Sequence, residues 1–310
     1  MKNSLNLIPF TDHWINCEIN DNLSVLTSQN SSYRLIPLLN DYMYQMAGDL
    51  GWITSLDIKY SREVLNKLEI LHKKDITFTE QDFMKDIKAC IDQGRVLNVV
   101  VDLYDWIPES LMYQRYHMSH YSLVAGYDDE EKVFTVFDDD AHGYKEHIIP
   151  YERFHKAVWR ESNGIQIREI LLPEHLEDYT LPIAKVIVLA ERIKNDITYL
   201  TYLTHFFNEM DEMLVHYLAM LSKITNRQKA NQQLFLYLAE RRFIPPENGE
   251  KLAGIALQLQ NQWQSVKSLF IKSMISGRRP DYERINALSY ENLLLEYKLW
   301  DDFIKAAPIF

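Results

Sequence analysis

A chain of 310 residues that is 47% hydrophobic has apolar material for one large core or two ordinary ones, which argues against a disordered protein. A net charge of -11 argues against nucleic acid as a partner, because phosphate binding is dominated by Lys and Arg. No stretch approaches the roughly 18 uninterrupted apolar residues of a membrane span, and MKNSLNLIPFTDHW holds only Lys2 as an early cation, so no secretory signal is read and a cytoplasmic protein is expected.

In chain order, the first patterned segment is EINDNLSVLTSQ after Cys17, which reads as a helix with the cysteine near its N-terminus. Ser31–Met46 also reads as helix. FTEQDFMKDIKACIDQ carries a start signal in Thr79, Gln81 and Asp82, and its Phe83, Ile87, Cys90 and Ile91 recur at helical spacing; Cys90 is thus expected to be a small apolar residue on a buried face. Val96–Leu103 is rich in β-branched residues and fits a central strand. HYSLVAGY and KVFTVF read as a hairpin across the acidic turn Asp128–Glu131, a further strand around His147–Ile149 ends at Pro150, and Tyr151–Ala157 resembles a short helix.

From Ala184 the pattern is helical throughout, near Ala184–Met220, Asn226–Arg242, Gly249–Ser276 and Leu288–Ala306, with breaks at ITNRQ, IPPENG and SGRRPD. The junction falls in LLPEHLEDYTLP, with two prolines and a run of acids. The expected organisation is α+β: residues 1–173 as one domain with an antiparallel sheet, and 174–310 as an all-helical bundle. Nearly all of the excess negative charge lies in the first of these.

Two cysteines in a chain without an export signal make a disulfide framework improbable. Cys17 lacks the apolar setting of Cys90 and is the candidate nucleophile. A nucleophilic cysteine needs a base, a group that orients the base, and donors for the oxyanion. A helix N-terminus favours negative charge on the sulfur, and the Cys17 backbone N–H is one oxyanion donor. If the hairpin turns about Asp129, His120 and Asp138 face each other across antiparallel strands, which fixes the imidazole tautomer. A register shifted by two positions substitutes Asp140, and a bulge brings in Asp139. His117, just before the strand, is the rival base.

The order Cys17, then HYSLVAGYDD with His120 at its head, then a strand running into Asp138 resembles papain-like cysteine peptidases of the C39 type. It is similar, more specifically, to the butirosin biosynthesis protein H N-terminal family, over roughly residues 5–170 by motif order and over the helical half by architecture. The resemblance implies a papain-like (C39-like) fold with a C-terminal helical bundle. It also implies a cysteine-dependent acyltransferase that takes an acyl group from the phosphopantetheine thioester of an acyl or peptidyl carrier protein and passes it to a small-molecule amine, forming an amide in thiotemplated natural-product biosynthesis. Amide synthetases of the closthioamide type are similar in size and layout. No metal and no cofactor of the protein's own is implied. A C39-type peptidase or a thioesterase is the alternative. Such peptidases place a Gln about six residues before the Cys, where this chain has Thr11. An activated thioester tolerates the loss of that oxyanion donor better than a peptide bond does; Thr11, Asn16 and Asn6 are candidate substitutes.

Other features carry weaker expectations. Asp138–Asp140 suit a hard cation, but HGYKEH does not continue a calcium-loop pattern, and His142 and His147 are too isolated for zinc. Trp106, Tyr113 and Tyr116 in LYDWIPESLMYQRYHM are candidates to line an acyl pocket. Arg227, Lys229, Arg241, Arg242, Arg278 and Arg279 are candidates for a basic surface facing an acidic carrier protein.

Overall fold

A computed structural model describes residues 1–47, 55–60, 69–140, 143–159, 164–203, 205–210 and 213–307. The chain is α+β with an antiparallel main sheet. It divides into two compact units, Met1–Arg34 with Asn66–Tyr179, and Leu35–Leu65 with Thr180–Phe310. Among the described residues no helix is long and apolar enough to cross a membrane.

The first unit is built on a sheet in the order β4 (His72–Phe78), β9 (Ile165–Leu171), β5 (Val96–Asp102), β6 (Ser119–Asp128), β7 (Val133–Asp140) and β8 (Gly143–Pro150), with the short β1 (Lys2–Ser4) added beside β6. β5 pairs with β6 as far as the Leu97↔Val124 pair, and β1 takes the vacated place from Ser4↔Gly126 onward. A β-carbon at Gly126 would lie 2.8 Å from the Asn3 carbonyl oxygen, so only glycine admits β1 there. Helix α1 (Cys17–Gln29) packs on β6 and β7. The Phe83–Asp92 helix packs on β5 and buries Phe83, Ile87, Cys90 and Ile91 as its spacing predicts. These four share one core with Trp106, Phe134, Phe154 and the Val99–Val101 face of β5.

The hairpin of β6 and β7 forms, but not in the expected register. Leu123 faces Phe137 rather than Thr135, and a bulge between Val124 and Gly126 shifts the pairing by one more residue toward the turn. The turn is longer than a two-residue loop, spanning 129–132, and the sequence count that placed Asp129 at its centre missed that.

The second unit contains the helices Ile183–Leu200, Leu214–Glu240, Pro246–Ser276 and Tyr282–Ala306, together with a two-stranded sheet of β2 (Tyr42–Ala47) and β3 (Ser55–Tyr60). The 1–173 and 174–310 division is therefore amended: residues 35–65 group with the later helices. The expected Ser31–Met46 helix is instead a 3-10 helix, Ser31–Leu38, followed by β2. Pro37 carries no backbone donor to continue a helix, and YMYQMA alternates with the period of a strand. Tyr42 and Tyr44 each donate a 2.6 Å hydrogen bond to the carboxylate of Glu296, which also accepts from Gln228 at 2.6 Å. The two tyrosine bonds tie the hairpin to a helix more than two hundred positions away.

Three further expectations are corrected. The ITNRQ segment lies inside the continuous Leu214–Glu240 helix, and the real interruption falls between Leu200 and Leu214. Among the described residues the Thr79 side chain caps nothing; its carbonyl accepts from the Asp82 and Phe83 amides, and Asp82 occupies the N-cap. Arg227 is no surface cation. It is 1% exposed, and its guanidinium donates to the carbonyls of Pro37 and Leu39 at 2.7 and 3.3 Å, while Arg279 is paired with Glu209.

Candidate active site

Cys17 is the first residue of α1, and the helix begins there because Asn16 caps it: Asn16 Oδ1 accepts from the Ile19 backbone N–H at 2.8 Å. The cap leaves the first amides of the helix, including that of Cys17, aimed at whatever lies before the N-terminus. The preceding loop is stapled back onto α1. Asn20 accepts from Ile15 N–H at 2.8 Å and donates to the carbonyls of Phe10 and His13, while Ser24 Oγ accepts from Phe10 N–H at 2.9 Å. Cys17 is partly exposed and a free thiol; Cys90 is 4% exposed and lies in the core.

His120 sits near the start of β6, opposite Val101 of β5. Its Nε2 donates to Asp138 Oδ1 at 2.7 Å, with Asp139 Oδ1 at 3.4 Å. An ionised carboxylate only accepts, so Nε2 carries a proton and Nδ1 is the ring nitrogen not committed to Asp138. The observed register sets Asp138 closest to Ser122 rather than to His120. The contact is thus a diagonal one between residues two apart on one face, which long side chains span. The expected pairing of His120 with Asp138 is met by a different route.

Asp138 is 1% exposed, and each of its oxygens is engaged. Oδ1 also accepts from the Asp139 backbone N–H at 2.7 Å, and Oδ2 accepts from the indole Nε1–H of Trp106 at 2.7 Å. Trp106, itself fully buried, therefore orients the carboxylate instead of lining an open pocket. Tyr113 lies under the Arg153 guanidinium, and Tyr116 is exposed. Burial of His120 opposes its protonation, but the charges of Asp138 and Cys17 and hydrogen bonds to Asp138 and Asp139 outweigh that cost and hold the imidazole well above its ordinary pKa.

One residue here was missed in the sequence. Asp21 stands one turn after Cys17 on α1 and is 0% exposed. Its Oδ1 accepts from Tyr144 Oη–H at 2.6 Å and its Oδ2 from Asn98 Nδ2 at 3.0 Å. Burial pushes its carboxyl well above the usual range, helped by the nearby charges of Asp138 and Asp139 and opposed by the Tyr144 hydrogen bond and by His120. The signal was legible: a carboxylate at i+4 shares a helix face with the cysteine.

His117 is engaged elsewhere. Its Nδ1 lies 2.6 Å from Asp102 Oδ2, and its ring stacks on Tyr104 with centroids 4.2 Å apart. Asp140 pairs with Lys145 at 2.6 Å rather than with His120. Of the candidate oxyanion donors, Asn16 spends its side-chain carbonyl on the helix cap, and Thr11 and Asn6 are exposed. Beside the cysteine, Glu18 pairs with Lys73 and, at 3.1 Å, with Arg168, whose guanidinium lies over the Tyr121 ring. His142 lies outside the described residues.

His120, Asp138 and Asp139 present ligand atoms within 4.8 Å of one another, a constellation that a metal ion can use. Against that use, Asp138 already accepts three hydrogen bonds, from His120, Trp106 and the Asp139 amide, so ligation would strip a buried carboxylate of its partners. What the arrangement offers chemically is a proton acceptor oriented by a carboxylate, at the head of a helix whose first residue is a thiol. No protein-family model matches the chain, and no curated protein matches it.

Proposed function

We propose that the chain is an amide-forming acyltransferase with a papain-like (C39-like) catalytic unit, in which Cys17 is the nucleophile, His120 the base and Asp138 the group that orients the base. The observation that carries this reading is the His120 Nε2 to Asp138 contact of 2.7 Å combined with the position of Cys17 at the N-terminus of α1, where its charge acts on that same imidazole.

In the proposed reaction His120 Nδ1 takes the Cys17 proton, and the thiolate attacks the carbonyl of a carrier-bound phosphopantetheine thioester. The new carbon–sulfur bond forms as the bond to pantetheine breaks, and the imidazolium returns its proton to the departing thiolate. An amine then attacks the S-acyl enzyme, His120 accepts its proton, and the amide leaves as the Cys17 thiolate is released. The N-terminal amides of α1 stabilise the oxyanion in both steps. The thioester supplies the driving force, so no nucleotide is consumed. A reducing compartment such as the cytoplasm suits a reaction that needs a free thiol.

Intact-protein mass spectrometry tests the reading. Incubation with an acyl-pantetheine thioester is expected to add one acyl mass to the wild type and none to Cys17→Ala, and an added amine is expected to remove that mass as amide. Discharge by water at an equal rate would identify a thioesterase, and cleavage of a peptide without acyl transfer would identify a peptidase.

A further inference from the structure

Helix α1 buries an uncommon run of polar side chains, Asn20, Asp21, Asn22 and Ser24. Asn20 and Ser24 hold the loop before Cys17, but Asp21 does something different: it reaches from the cysteine helix to two strands, to Asn98 on β5 and to Tyr144 on β8. Ser24 Oγ closes the same group at 3.4 Å from Tyr144 Oη. β5 is the strand paired with His120, and β8 is paired with the strand that carries Asp138. A buried carboxylate with two donors from two strands holds a helix against both, since moving it would leave three polar groups unpaired away from water.

We propose that Asp21 is the positioning residue of this site, a two-point tether from the cysteine helix to β5 and β8 that sets Cys17 against His120. The inference rests on the reading of Cys17 as the nucleophile. Substitution by asparagine is compatible with the tether. In Asp21→Asn the side-chain oxygen still accepts from Tyr144, and the new amide donates to Asn98 Oδ1 once the Asn98 side chain turns over; that oxygen is a buried atom with no hydrogen-bond partner among the described residues. Alanine removes both bonds.

The test is alkylation of the whole chain by iodoacetamide, with Cys17 and Cys90 followed separately by peptide mass spectrometry. Cys90 reports loosening of the core, because it lies buried in the same unit. Asp21→Ala is expected to slow Cys17 alkylation by roughly ten- to a hundredfold, the effect of about an ångström of misplacement, with Cys90 labelling unchanged. Asp21→Asn is expected to recover most of the wild-type rate. The proposal is overturned if Asp21→Ala labels Cys17 as fast as the wild type, or if Asp21→Asn is as slow as Asp21→Ala, which would assign the effect to charge. If Asp21→Ala labels Cys90 faster, Tyr144→Phe decides: it removes one of the two bonds and is expected to slow Cys17 with Cys90 still protected, and an unchanged Cys17 rate in it rejects the tether. A wild type in which Cys17 reacts no faster than Cys90 would instead reject the nucleophile reading itself.

Discussion

At the scale of single residues, the site depends on one carboxylate with both oxygens held by donors. Asp138 receives His120, the Asp139 amide and the Trp106 indole, so its orientation is over-determined and the imidazole follows it. Trp106→Phe keeps most of the packing and deletes one hydrogen bond to a charged acceptor. The expected loss in the rate of acyl-enzyme formation is roughly tenfold, about 1.5 kcal/mol, measured by stopped mass-spectrometric time courses. His120 also gives the stability a pH dependence. Its pKa is raised in the folded chain, despite burial, by Asp138 and Cys17. The stabilisation is therefore fully present below the ordinary imidazole value of about 6.5 and is lost as pH rises through the higher folded value. Thermal melts are expected to show wild type exceeding His120→Gln most at pH below about 6, with the gap closing on the alkaline side; a gap that widens with pH would contradict this.

At the scale of elements, local chemistry was readable wherever it was self-contained. The EINDNLSVLTSQ pattern after Cys17 announces a helix, and the Phe83, Ile87, Cys90 and Ile91 spacing announces a buried face; both form. Asn16→Ala removes the acceptor for the Ile19 amide. It is expected to cost about 1 kcal/mol, visible as a lower melting temperature, and to slow Cys17 alkylation by fraying the turn that holds the sulfur. Strand registers were not readable in the same way. The β6 and β7 pairing depends on a four-residue turn and on a bulge between Val124 and Gly126, the place where β1 comes to pair with the other edge of β6. A contact with residues 2–4 cannot be inferred from the hairpin's own sequence.

At the scale of the whole molecule, the chain passes from the first unit to the second and back before entering the helices for good. Residues 35–65 supply Tyr42 and Tyr44 to Glu296 and the Pro37 and Leu39 carbonyls to Arg227. A fragment of residues 174–310 alone would bury a carboxylate and a guanidinium short of their partners, each such group costing about 1–3 kcal/mol or more. It is expected to melt without cooperativity in calorimetry, and addition of the 35–65 segment on a flexible linker is expected to restore a single transition. A cooperative melt of 174–310 by itself would show the hairpin to be dispensable.

The sequence by itself determined the α+β class, the helical second half and the buried role of Cys90, because composition and periodicity act over a few neighbouring positions. Only the tertiary structure decided that Asp138 meets His120 diagonally, that Trp106 and Asp21 serve the same cluster, and that a tyrosine hairpin belongs with the late helices. Each of those outcomes is a hydrogen bond between groups far apart in the chain, and the free energy that selects it comes from burying both partners together.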